Sequence, residues 1–300
     1  MDVITHLEFY QLLDAIKSLK SESDIFKDYI FPLVSIVVST LLGWWIATVS
    51  FHKQTKMQAD IEKLNSANRW LLFAMQAIED LRVIKTEYVK AIGDETSPVN
   101  RTVLIKPLQM IRKYISGDYA ELVFIYPVAK NNSEISLPWM DAHRIRTMFE
   151  NFNFLLEQWE LRDSMMIPLR ANLEARFPEQ VSFDLNEQMI LERLPIVDLV
   201  AVIVQTERLI KLTDAVMKEL AFFLKEFPST VKYRVNIGEL SSHAPLLGGY
   251  SIPDPALRKL YLSPTVEPNI HRLAKLLHTD VARAKQALAN PYDELLYPDF

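Results

Sequence analysis

The sequence predicts a mainly α protein: a single-pass transmembrane helix that continues into a helical stalk, then an all-helical, long-helix bundle domain with at most one short β-hairpin or strand pair. Three observations predict it. Residues 29–51, YIFPLVSIVVSTLLGWWIATVSF, contain no charged residue, and as a helix they would reach about 35 Å, enough to cross a hydrocarbon layer of about 30 Å. Neither proline nor glycine occurs between Gly43 and Gly93, so nothing in that stretch interrupts a helix. Glycine is scarce throughout, with 6 in 300 residues, and the long segments carry apolar residues at helical spacing.

Residues 1–28 form the first segment. Val3, Leu7, Tyr10 and Leu13 recur at helical spacing and predict a short amphipathic helix over 2–20, closed by the polar residues 21–24. The segment does not read as a secretory leader: the apolar run behind it starts late, is too long, and lacks a small-residue cleavage site. The span itself takes residues 29–51. Asp28 closes one end and His52, Lys53 and Lys56 the other, while Tyr29 and the Trp44–Trp45 pair lie toward the ends, where amphipathic rings favour the headgroup layer. Lys17, Lys20 and Lys27 precede the span; Lys53, Lys56, Lys63 and Arg69 follow it. That balance predicts a C-terminal domain in the cytoplasm, at the cell inner membrane. Within the span, Ser35, Ser39, Gly43 and Ala47 recur every fourth residue. Lipid offers no hydrophobic gain for helix association, so close backbone approach across small residues is the expected driving force, and this stripe predicts self-association.

Residues 52–92 predict a juxtamembrane helix or coiled-coil stalk. Its seam places Ile61, Asn68 and Met75 at a and Met57, Leu64, Leu71 and Ile78 at d of a heptad; a lone Asn at a costs stability but fixes register. The same stripe also suits a helix packed inside its own domain. Residues 93–238 predict the helical domain, beginning with a turn-rich loop over 93–100 and a short helix over 101–115. A long helix is expected from about 138 to 176 with a kink or break at Pro168, and another over 186–227. The alternation Val231, Tyr233, Val235, Ile237 predicts a strand, with the apolar run 121–128 as its partner. Residues 239–300 hold 7 of the 16 prolines. They predict short helices near 256–262 and 267–289 and end in an acidic, aromatic tail, NPYDELLYPDF, suited to docking on a protein partner.

Charge and composition restrict function. The net charge is −5, without the basic footprint that nucleic acid requires, so no nucleic-acid partner is expected. Cysteine is absent, which removes disulfides and thiolate chemistry. No Gly-rich phosphate loop, His-Glu-x-x-His or Gly-x-Ser-x-Gly motif occurs, and no catalytic residue, metal or cofactor is predicted. Asp198, the one charge in the apolar run 196–204, is expected to be buried and paired with Arg193 or Arg208. Glu157, Glu160, Arg162 and Asp163 around Trp159 read as an exposed charged face. His271 and His278, seven apart on the predicted helix, stand about 10 Å from each other and do not chelate one metal.

Arg272 and His278 fit an Arg-x5-His pattern, which resembles the catalytic signature of the helical HEPN ribonucleases, although Leu273 replaces the usual polar residue after the arginine. The resemblance covers seven residues and implies, as one alternative, a membrane-anchored ribonuclease. The layout as a whole resembles small membrane-anchored effectors of bacterial defence and toxin systems. The expected function is that of a membrane-anchored, self-assembling effector, sensor or scaffold without its own catalysis, whose partners are the lipid bilayer and further copies of the chain. The other alternative is a pore in which several spans line a conduit with Ser35, Ser39 and Thr40.

Overall fold

The computed structural model describes Tyr10, Gln11, Asp14 and residues 29–108, 113–126, 137–176, 187–240, 245–247 and 254–289. Helix α1 runs without interruption over Phe31–Ile92, as the lack of helix breakers predicts. It stops at Gly93, whose φ of +55° suits a residue without a Cβ. The chain divides into two units, Met1–Ala59 and Asp60–Phe300.

In the first unit, the described part of α1 is exposed on every side. Only Thr48 and Met57 are even partly covered. The predicted amphipathic helix over 2–20 lies outside the described residues, apart from the exposed, helical Tyr10, Gln11 and Asp14.

The second unit is a helical bundle, and the fold is mainly α with no strand among the described residues. Here α1 contributes a wide apolar stripe, with Leu64, Trp70, Leu71, Ile78, Leu81 and Tyr88 fully buried. The remaining helices are α2 (Pro98–Leu104), α3 (Ala142–Arg176), α4 (Glu187–Arg193), α5 (Ile196–Arg234), α6 (Ile237–Leu240), α7 (Pro255–Leu262), α8 (Ile270–Leu276) and α9 (Val281–Ala287), with a 3-10 helix over Tyr119–Ile125. Helices α3 and α5 pack antiparallel: Phe149 meets Phe223 (6.2 Å between rings), Trp159 bonds Thr213 (3.1 Å) and Arg162 bonds Thr206 (3.2 Å).

Along these helices the core falls into three layers. An aromatic layer joins Trp70, stacked on Tyr119 at 4.7 Å and tilted against Phe149 at 5.2 Å, to Phe223, Phe227 and Trp139. An aliphatic layer gathers Val99 and Val103 of α2, Met166 and Leu169 of α3, Ile190 of α4, Val202 and Ile203 of α5, Leu273 of α8 and Leu288. Between them lies a layer of buried polar side chains.

Several expectations are corrected. Leu64, Leu71 and Ile78 of the predicted stalk seam are completely buried within the unit, so they are not free to form a coiled coil with another chain. Asn68 is spoken for as well: its amide donates to the Pro245 carbonyl and accepts from the Leu247 N–H, both at 2.9 Å. Residues 231–234 belong to α5 and residues 119–125 to the 3-10 helix. The predicted strand fails because Phe227, Val231 and Val235 are the buried set, a four-residue spacing that a short alternating pattern also contains. The helix over 186–227 is instead two helices broken at Pro195, and α5 continues through Pro228 to Arg234. The helix over 101–115 is replaced by α2, started by Ser97 and Pro98 and ended at Ile105. The helix expected to begin near Pro138 begins at Ala142, where the Asp141 carboxylate accepts from the His143 N–H at 2.9 Å, and Pro168 lies inside it without ending it. Residues 267–289 form two helices capped by Asn269 and Asp280. Leu273 and Leu288 sit in the aliphatic layer, so α8 and the end of α9 pack on the same core as the helices before them. The acidic tail lies outside the described residues.

Candidate functional site

The first unit presents the clearest functional surface. Its exposed helix includes Trp44 at 67% and Trp45 at 61% exposure, with Ile36, Leu41, Ile46 and Phe51 similarly open. Among the described residues nothing covers this run, and it is the one helix among them that is long and apolar enough to cross a membrane. Its polar atoms are partly silenced within the helix: the Thr40 hydroxyl donates to the Ile36 carbonyl at 2.7 Å and that of Thr48 to the Trp44 carbonyl at 2.8 Å, so neither needs water. Ser35, Ser39, Gly43 and Ala47 are exposed, and a Cβ added at Gly43 would meet nothing within 4 Å.

The second unit holds the buried polar layer, which sequence reading missed. Arg101 forms a two-pronged pair with Glu207 (2.7 and 3.0 Å), and both side chains are inaccessible. Its remaining nitrogen donates to the carbonyls of Glu95 (3.1 Å) and Val266 (2.7 Å). Lys85 pairs with Asp214 at 2.7 Å and donates to the Ser263 carbonyl at 2.8 Å. Asp214 also accepts from the Tyr88 hydroxyl (3.0 Å) and the Thr265 N–H (2.6 Å). Arg162, expected on an exposed face, is buried; it donates to the Thr102 and Ile105 carbonyls, each at 2.7 Å, and pairs with Asp163 at 3.1 Å.

Burial pushes the Glu207 carboxyl above its usual range, with Arg101 opposing, and lowers the Lys85 ammonium, with Asp214 opposing. Burial raises the Tyr88 phenol well above its ordinary value, helped by the Asp214 charge. These groups are buried and satisfy one another; their work is to fix α1, α2 and α5 on the connector 263–269. The signal for them existed only as isolated charges at positions that helical periodicity assigns to the core.

The remaining sequence candidates do not converge. Asp198 is exposed in the first turn of α5, where a carboxylate favours the helix N-terminus; it is not the buried charge that the apolar run implied. Arg272 pairs with Glu187 at 3.0 Å on the surface. His278 lies beyond the end of α8 with φ +48°. Its N–H meets the Lys275 carbonyl while the Thr279 N–H meets the Ala274 carbonyl, a left-handed helix stop. The two residues therefore do not lie on one continuous helix, as the Arg-x5-His reading had them. A groove of about 630 Å³ between α1 and residues 104–108 is lined by Val83, Glu87, Lys90, Leu104, Lys106 and neighbours. Among the described residues no group of His, Asp or Glu is arranged to hold a metal ion. No family model, curated protein or solved structure matches the chain.

Proposed function

We propose that the protein is a membrane-anchored, self-assembling effector, sensor or scaffold that acts by oligomerisation and partner binding, with its helical domain in the cytoplasm at the inner membrane. The supporting observation is a contrast within one helix. From Asp60 onward α1 buries one apolar face, including Leu64, Trp70, Leu71, Ile78 and Leu81, whereas over Phe31–Phe51 it leaves Ile, Val, Leu, Phe and Trp uncovered. An apolar surface of that extent is favourable only in lipid or against another copy. The Ser35, Ser39, Gly43 and Ala47 stripe suits the second of these within the first, because small residues let two backbones approach.

Crosslinking in native membranes tests the assembly. Wild type should give an oligomer ladder that Gly43→Ile abolishes and Leu42→Ile preserves. An unchanged ladder for Gly43→Ile would reduce the span to an anchor. A ladder that stops at the dimer would exclude a pore built from one span per subunit.

A further inference from the structure

The surface of α1 changes character within one turn of Phe51. His52, Lys53 and Lys56 follow and are exposed. No Asp or Glu occurs over residues 29–59, and the first acid, Asp60, is committed to Lys63 at 2.7 Å. Among the described residues neither Lys53 nor Lys56 forms an ion pair. At 3.6 residues per turn, His52, Lys53 and Lys56 fall within an arc of about 100°, and Trp45 lies about 20° from His52 on the same side. Along the axis the two lysines sit about 3 and 7.5 Å past Phe51, a depth that matches the headgroup layer of roughly 5–7 Å on each side of the hydrocarbon.

We propose that Lys53 and Lys56 form an interfacial site for the headgroup phosphates of anionic phospholipids, with the Trp45 side of the helix packed along the same lipids. This rests on the membrane reading of α1. Two lysines are too few to hold a nucleic acid. Ammonium groups act as point charges and lack the fork that matches a protein carboxylate in two-pronged fashion. The continuous apolar surface immediately before them selects lipid over a soluble anion. Each lysine near an anionic surface contributes about fivefold in association.

The test uses the full chain reconstituted in phosphatidylcholine bilayers containing a minor fraction of brominated phosphatidylglycerol or brominated phosphatidylcholine, read by tryptophan quenching. Trp44 and Trp45 are exposed on the apolar run, while Trp70, Trp139 and Trp159 are fully buried and give a constant background. Wild type should prefer phosphatidylglycerol by about fivefold or more. Lys53→Gln/Lys56→Gln should bring the ratio close to one, and Lys232→Gln, exposed on α5, should leave it unchanged. Equal quenching by both lipids in wild type, or a preference that survives the double substitution, overturns the site while leaving the span intact. Absence of quenching by either lipid overturns the membrane reading and the site with it.

Discussion

Gly117 shows how a single residue can be set by its neighbour. A Cβ there would lie 2.9 Å from Trp70 Cη2 and 3.0 Å from Cζ2, and the indole, stacked on Tyr119 and fully buried, has no room to withdraw. Gly117→Ala should therefore destabilise the domain by about 1–3 kcal/mol, read as a lower denaturant midpoint. Tyr88 makes a second prediction at this scale. Its phenol is held protonated by burial and by Asp214, so its folded value is raised above the unfolded value of about 10. The unfolded chain then loses this proton first as pH rises. The contribution is fully present below about pH 10 and is lost above it. Between pH 8 and pH 11 the denaturant midpoint should fall more for wild type than for Tyr88→Phe; equal falls would show that Tyr88 carries no such linkage. Neither feature was legible in the sequence. A glycine against an indole and a tyrosine above a carboxylate are contacts between distant segments, and periodicity reports only which side of a helix is apolar.

At the scale of elements, what the sequence made legible depended on breakers and caps. α1 was readable because proline and glycine are missing over a long stretch, and its end at Gly93 follows from backbone conformation. The division of 186–227 was hidden by continuous apolar periodicity, although Pro195 carried the signal. The pair α8 and α9 was likewise merged, although Asp280 is a good N-cap. Asn68 separates the two readings of the juxtamembrane helix. In a coiled-coil seam, Asn68→Leu would raise stability. Here its side chain satisfies the Pro245 carbonyl and the Leu247 N–H, so the substitution should lower stability by about 1–2 kcal/mol. A raised melting temperature would return this helix to the role of a stalk.

At the scale of the whole molecule, the long apolar N-terminal helix and the mainly α class were legible, because uninterrupted apolar length and helical periodicity are local properties. The polar layer and the packing of α7 to α9 on the bundle were not, because charge pairs such as Arg101–Glu207 join residues far apart in the chain. The central claim is that residues 31–51 are exposed because lipid, not protein, is their solvent. Washing membranes from expressing cells with alkaline carbonate tests it most directly. The full-length protein should remain in the pellet and be released only by detergent, and Leu41→Arg/Gly43→Arg should shift it to the supernatant or to aggregates. Quantitative release of the wild-type protein by carbonate alone would contradict the account.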